Sequence, residues 1–258
     1  MTATIPVDTI NKSMECRYSC IKSWKRAGRT SLRDASACLL YTALSQNTCA
    51  VSGVASELSE YTLCIPRFSP DGKAVVAIAD HAFEGNTACR EVTVPASIGV
   101  IGERAFAFCT ALAKVTFAKN SRLQTVGKRA FIGCESLTAI SLPATVRECG
   151  VKAFAHCTTL ESIQLGTRMT TLTSGILEGC RKLTRVALPT GLVTVECSAL
   201  SSCVSLQSLA LPATVQTIED CAFAWCSHLS DVSIPARCSS LSQSAFYQCS
   251  ALLARQAG

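Results

Sequence analysis

Apolar residues recur along the chain in blocks that repeat about every 23 positions. A large apolar residue stands at Phe83, Phe106, Phe131, Phe154, Leu177, Leu200, Phe223 and Phe246, with successive spacings of 23, 25, 23, 23, 23, 23 and 23. Three residues beyond each lie Asn86, Cys109, Cys134, Cys157, Cys180, Cys203, Cys226 and Cys249. Three further on lie Cys89, Leu112, Leu137, Leu160, Leu183, Leu206, Leu229 and Leu252. Three columns in register over so much of the chain mark internal repeats. Within a unit the pattern then switches to strict alternation. In Leu137-Thr138-Ala139-Ile140-Ser141-Leu142, Ile140 and Leu142 share one face while Ala139 and Ser141 share the other. That period of two predicts a short strand with one buried face. Equivalent strands are expected at Val92–Val94, Val115–Phe117, Ile163–Leu165, Val186–Leu188, Leu209–Leu211 and Val232–Ile234. Pro95, Pro143, Pro189, Pro212 and Pro235 end five of the strands, because proline cannot donate to a ladder and favours a turn. Apolar residues such as Ile98 with Ile101, Val146, and Val215 with Ile218 then begin a return path to the next unit.

No single unit of this size can bury its apolar side alone. Stacked units can, forming continuous ladders of Phe, Cys and Leu. Each fully buried Phe or Leu then contributes about 1.5–3 kcal/mol of transfer free energy before entropy is counted. Leu177 and Leu200 replace Phe in adjacent units, which predicts a slimmer, less well-packed middle. The period falls within the window of leucine-rich repeats. The Leu-Pro strand end, the Ile-Gly-x-x-Ala-Phe segment at Ile101–Phe106 and the Cys-x-x-Leu step are specific. So is the opening, with Tyr41-Thr42-Ala43-Leu44, a turn at Gln46-Asn47-Thr48, Cys49-Ala50-Val51-Ser52-Gly53 and the runs Thr62–Pro66 and Asp71–Ile78. Over residues 41–258 these features resemble the BspA-type leucine-rich-repeat family.

The resemblance implies a β-rich solenoid of the α/β class, with about eight stacked repeats of 23–25 residues, short parallel strands and an N-terminal hairpin-like cap. Residues 41–80 form the cap region, residues 81–258 the repeats, and residues 1–40 a basic extension, either a short helix or without order. Within residues 16–44, Tyr18, Ile21 and Trp24 stand at helical spacing. The family occurs in bacterial surface proteins and in some parasitic protists. It implies a non-enzymatic, adhesin-like recognition module, at the cell surface or secreted, that binds host or neighbouring-cell proteins or glycans. Four departures qualify this. Cys precedes the Leu, whereas the common leucine-rich consensus places Asn or Cys shortly after the strand. Gly166 stands where Pro is expected, and Ser121-Arg122 mark a two-residue insertion. Finally, no export signal or C-terminal anchor is recognisable, which keeps an intracellular leucine-rich-repeat scaffold as the alternative.

Charge and composition narrow the function classes. Residues 1–40 carry seven Lys/Arg against three Asp/Glu, or +4 of the formal net charge of +6, leaving about +2 for the rest. A nearly neutral solenoid disfavours a nucleic-acid groove. No apolar run is long enough for a transmembrane helix. The run Ala35–Leu44 follows basic residues 17–33 but starts late and directly after Asp34, so it makes a poor signal peptide.

The seventeen cysteines are odd in number, and the chain is too large and too rich in core residues for a disulfide-stapled mini-domain. One thiol per coil is the pattern of a packed interior column, in which free Cys acts as a compact hydrophobe. Zinc sites instead show close C-x-x-C pairs with matching partners. Cys16 and Cys20 are four apart but have no further ligand nearby. His81, His156 and His228 are the only histidines, and no nucleophile–base–orienter set accompanies them. Neither a phosphate loop nor HExxH nor a nucleophile elbow is present. Neither catalysis nor a cofactor nor a metal is therefore expected.

The outward strand positions form the candidate binding face: Glu91 and Thr93, Lys114 and Thr116, Ser141, Ser162 and Gln164, Arg185, Ser208, and Asp231 with Ser233. This face is small and polar, without aromatics, and suits a broad, shallow contact or simple solvation. A second candidate is a basic row just before the large apolar residue, formed by Arg104, Lys128, Arg129 and Lys152. Such a row can attract acidic glycans, anionic lipid or nucleic acid, but more often it is simply a soluble exterior.

Overall fold

The structure, a computed structural model, describes residues 33–34, 38–55 and 61–252. The helical spacing of Tyr18, Ile21 and Trp24 and the Cys16/Cys20 pair lie outside these residues. The described chain winds as a β-solenoid with one parallel sheet in front and a second behind. In front, β1 (Arg33–Asp34), β4 (Tyr61–Cys64), β6 (Cys89–Val94), β8 (Lys114–Phe117), β10 (Ala139–Ser141), β12 (Ser162–Gln164) and β14 (Arg185–Ala187) form a seven-stranded sheet in that order. Two further strands, β16 (Ser208–Ala210) and β18 (Asp231–Ser233), pair separately. The later strands begin about one residue earlier than the alternation suggests. The last apolar residues Leu142, Leu165 and Leu211 turn inward beside the Pro or Gly that closes the ladder and are buried, whereas Leu188 is half-buried and Ile234 exposed.

The return path is a sheet in its own right. Behind the front strands lie β2 (Leu39–Ala43), β3 (Thr48–Val54), β5 (Ala74–Ile78), β7 (Val100–Ile101), β9 (Thr125–Val126) and β11 (Glu148–Cys149). They are followed by β13 (Thr171–Leu172), β15 (Thr194–Val195), β17 (Thr217–Ile218) and β19 (Ser240–Leu241). Most of these strands have two residues, too few to show a period. β2 and β3 are antiparallel and close the N-terminal end of this back sheet as a hairpin, which covers the first coil's exposed edge.

Each strand-ending Pro accepts a bond from the amide three residues on, as in Val146 N–H to Pro143 O at 3.0 Å. Gly166 makes the same turn, with Met169 N–H donating to its carbonyl at 3.1 Å. A Cβ at Gly166 would meet the Val146 carbonyl oxygen at 2.5 Å, so close backbone approach explains the departure from Pro. The back ladder is interrupted here, between β11 and β13. Thr173 Oγ1 donates to the Cys149 carbonyl at 2.8 Å, the rung that Gly150 N–H makes to Val126 O in the preceding coil.

The turn before the Cys column holds two left-handed residues in every described coil but the last, which holds one. The first is His81, Arg104, Arg129, Lys152, Gly175, Ser198 or Cys221, with φ between 52° and 62°. The second is Gly85, Phe108, Gly133, His156, Gly179, Ser202, Trp225 or Gln248. A non-glycine residue in this region costs about 1–2 kcal/mol. Inter-coil rungs hold it there: Arg104 N–H to Lys128 O at 2.9 Å, Phe106 N–H to Ala130 O at 2.7 Å and Phe108 N–H to Ile132 O at 2.7 Å. Ser198→Gly is expected to raise stability by about 0.5–1 kcal/mol, since relief of strain outweighs glycine's extra unfolded-state entropy. A urea midpoint equal to or below wild type would contradict it.

The interior is built from ladders. Phe83, Phe106, Phe131 and Phe154 stack in sequence with centroids 5.1, 5.2 and 5.3 Å apart. Phe223 and Phe246 stack at 5.1 Å. Between the two runs, Leu177 and Leu200 are fully buried. The expected slimmer middle is partly refilled, because Ile176 occupies a position that is Ala in the other coils and is fully buried beside Leu177.

Candidate interaction surface

The alternation that buries Ile140 and Ile163 necessarily turns their neighbours outward. Of the candidate face, Ser162 is half-buried and the other members are exposed. Parallel register aligns them in two columns. Glu91 faces Lys114 and Thr93 faces Thr116. Lys114 faces Ala139, Ala139 faces Ser162 and Ser141 faces Gln164, and Ser162 faces Arg185. Ser208, Asp231 and Ser233 lie on the separate β16–β18 pair, where Ser208 faces Asp231.

Lys114, Ser141, Ser162, Gln164 and Arg185 line one shallow, open depression of about 590 Å³ across β8, β10, β12 and β14. Ser141 Oγ donates to Gln164 Oε1 at 2.9 Å, which orients the amide within it. A second depression of about 310 Å³ adjoins at Ser141 and runs past Asn120, Ser121 and Pro143. Ser121, of the two-residue insertion, lines it beside Asn120, whose φ is 58°. The spacing of 25 was its signal in the sequence, although only the folded chain shows that it borders the face.

The basic row is interleaved with carboxylates. Arg104 Nε donates to Glu84 Oε1 at 2.8 Å, and its guanidinium carbon sits 5.7 Å from the Phe108 ring centre. Glu84 also bonds His81. The His81 and Arg104 bonds hold its carboxyl below the usual carboxylate range. Lys152 Nζ pairs with Glu178 at 3.0 Å. Lys128 is exposed and Arg129 half-buried. Half of the row is thus neutralised by neighbouring coils. The turn also exposes an aromatic pair outside the repeat columns, Trp225 and Tyr247, edge-to-face at 5.5 Å.

The cysteine column is buried, but its thiols do more than fill space. Each donates to the carbonyl of the large apolar residue one coil back: Cys109 to Phe83 at 3.1 Å, Cys134 to Phe106, Cys157 to Phe131, Cys180 to Phe154 and Cys226 to Leu200 at 3.2 Å, Cys203 to Leu177 at 3.3 Å and Cys249 to Phe223 at 3.1 Å. Asn86 takes this place in the first coil, with Nδ2 donating to Tyr61 Oη at 2.6 Å. All fifteen described cysteines are free. Burial pushes the Cys109 thiol up to about 12. Among the described residues no cluster of three or more His, Cys, Asp or Glu could hold a metal. His156 and Cys157 do not converge, because Cys157 bonds the Phe131 carbonyl and the His156 ring packs over Gly179. His228 Nδ1 bonds the Val204 carbonyl at 2.7 Å.

Exposure therefore predicts the order of thiol reactivity. Among the described cysteines of the native protein, Cys64 should react first with a disulfide reagent, and Cys197 more slowly, because the Glu219 carboxylate at 3.2 Å raises its thiol. The column from Cys109 to Cys249 should react only with unfolding. Peptide mapping that finds Cys157 labelled alongside Cys64 would contradict the burial.

Comparison with known proteins follows the same lines. A family model described as BspA type leucine rich repeat region matches in 6 copies, over residues 76–192 and 159–254. A leucine-rich-repeat protein of T. pallidum is similar in structure, with a TM-score of 0.50 and 25% identity, covering 68% of this chain and 91% of that one. A leucine-rich-repeat protein from Bacteroides ovatus is 21% identical over 87% of this chain and 93% of its own, with a TM-score of 0.43. The pneumococcal vaccine antigen PcpA is 18% identical over 86% and 74%, with a TM-score of 0.47. Comparison with curated proteins gives no match. No helix among the described residues is long and apolar enough to cross a membrane.

Proposed function

We propose, since the chain belongs to the BspA-type leucine-rich-repeat family, that it is a non-enzymatic recognition module whose front sheet makes an adhesin-like contact at a cell surface or after secretion. Leucine-rich repeats of this family form protein-interaction modules. The observation that carries the reading is the shared depression. Five outward side chains from four successive strands converge on it, so one partner can touch residues 71 positions apart, from Lys114 to Arg185. Rigid strands present them, which limits the ordering cost of binding.

The partner is a protein or glycan of a host or neighbouring cell. A second reading, an intracellular scaffold, draws support from the fifteen free thiols, because reducing compartments keep thiols unpaired. Protease shaving of intact cells of the native source separates the two. Loss of a solenoid-specific antibody signal without lysis supports surface recognition. Digestion that occurs only after lysis sinks it and favours the scaffold.

A further inference from the structure

We propose that the front-sheet depression binds an acidic oligosaccharide bearing carboxylates, a proposal that rests on the recognition role of this face. Its lining carries two charged residues, Lys114 and Arg185, both cationic, and neither a carboxylate nor an aromatic ring. Neither cation has an ion-pair partner within 4.0 Å among the described residues. They occupy one column, separated by Ala139 and Ser162. Three strand steps put their Cα atoms about 14 Å apart, at about 4.8 Å per step. Beyond them the charge reverses. Glu91 stands beside Lys114 in register, and Asp231 holds the same repeat position two coils past Arg185. Anionic groups are thus attracted between the two cations and repelled outside them.

The floor between the cations consists of hydroxyl, amide and small aliphatic groups. Ser141, Ser162 and Gln164 offer donors and acceptors, while Ala139 and Ala187 leave a flat surface. A protein segment binding here would want an enclosed site for a large anchoring side chain, whereas this depression is shallow and open and has no aromatic ring in its lining. A linear uronic-acid chain supplies what the face lacks. Its carboxylates pair with Lys114 and Arg185 through charge-assisted hydrogen bonds. Its hydroxyls bond Ser141 and Gln164, and its C–H faces lie on the alanines.

The test is titration of the isotope-labelled full chain, followed by NMR, with three probes: linear tri-galacturonate, neutral galactotriose and an acetylated pentaglutamate peptide. The expected result is saturable shifts confined to strands 114–187 with tri-galacturonate, and affinity at least about tenfold weaker for the other two. Lys114→Gln with Arg185→Gln should weaken tri-galacturonate binding about tenfold or more, and Gln164→Ala about threefold, with thermal melting unchanged. Pentaglutamate binding as tightly would overturn the proposal in favour of an acidic peptide on the same face, as would equal binding of galactotriose in favour of a neutral sugar. Absence of tri-galacturonate binding, or binding insensitive to the Lys114 and Arg185 changes, would also overturn it. None of these outcomes touches the surface-recognition reading, which the shaving result decides independently.

Discussion

Phe131→Ala is expected to lower the stability of the chain by about 3–5 kcal/mol. The Phe131 ring stacks on Phe106 at 5.2 Å and on Phe154 at 5.3 Å, with planes tilted by 8° and 2°. Removing it leaves a void inside a fully buried ladder and breaks two aromatic contacts, each worth about 0.5–1.5 kcal/mol beyond area burial. The backbone rungs to Ala153 O and from Cys157 Sγ do not depend on the ring, so the coil cannot collapse to close the gap without breaking them. Phe131→Leu, the replacement that Leu177 and Leu200 already make, should cost no more than about 1.5 kcal/mol. Urea titration followed by far-UV dichroism gives the loss. Because coils contact only their neighbours, Trp225 fluorescence, read in a Trp24→Phe background and reporting from the far end, should lag behind the dichroism in Phe131→Ala. A loss below about 1 kcal/mol would mean that the ladder packs loosely.

Alkaline conditions should unfold the protein over a narrow range. Burial pushes the thiols of Cys89, Cys109 and Cys149 up to about 12 and that of Cys249 to about 11. In the unfolded chain a cysteine titrates near 8.5. Above that pH the unfolded state gives up protons that the folded state retains, so stability falls as pH rises. The contribution of these thiols is fully present below about pH 8.5 and is lost progressively towards pH 11–12. Each thiol accounts for about 1.4 kcal/mol per pH unit, and the four together for about 5–6. Against a typical domain stability of about 5–15 kcal/mol, unfolding should follow within one to three units. Urea midpoints measured from pH 7 to 11 should be level and then drop. Cys149→Val should reduce the slope by about 1.4 kcal/mol per pH unit. A level profile through pH 10.5 would show that the column takes up hydroxide or water without opening.

The front strands and their turns were legible because the signals are local. Alternation around Ile140 or Val232 and the following Pro leave one solution. The outward set from Glu91 to Ser233 then follows from geometry, and five of its members meet in the depression. The back sheet was not legible, since a strand such as Thr171–Leu172 has no room to alternate. The left-handed turn positions were hidden by residue type. Arg, Lys, His, Phe and Trp occupy conformations normally signalled by Gly, because inter-coil hydrogen bonds override local preference there. The thiol-to-carbonyl bonds were hidden for another reason. A buried cysteine reads as an apolar residue until the carbonyl it faces is known, and that carbonyl belongs to another coil.

The two sheets are interrupted at different coils, the back between β11 and β13 and the front between β14 and β16. Like staggered joints in brickwork, each seam is crossed by intact courses on the opposite wall. The front seam is bridged by β13, β15, β17 and β19, and the back seam by β10, β12 and β14. A shear crack therefore has no straight plane to follow. Flexing at the front seam would change the separation of Arg185 from Asp231 while leaving Lys114 and Arg185 on one slab. The four coils around the depression share one unbroken front ladder, whereas Asp231 lies across the front seam.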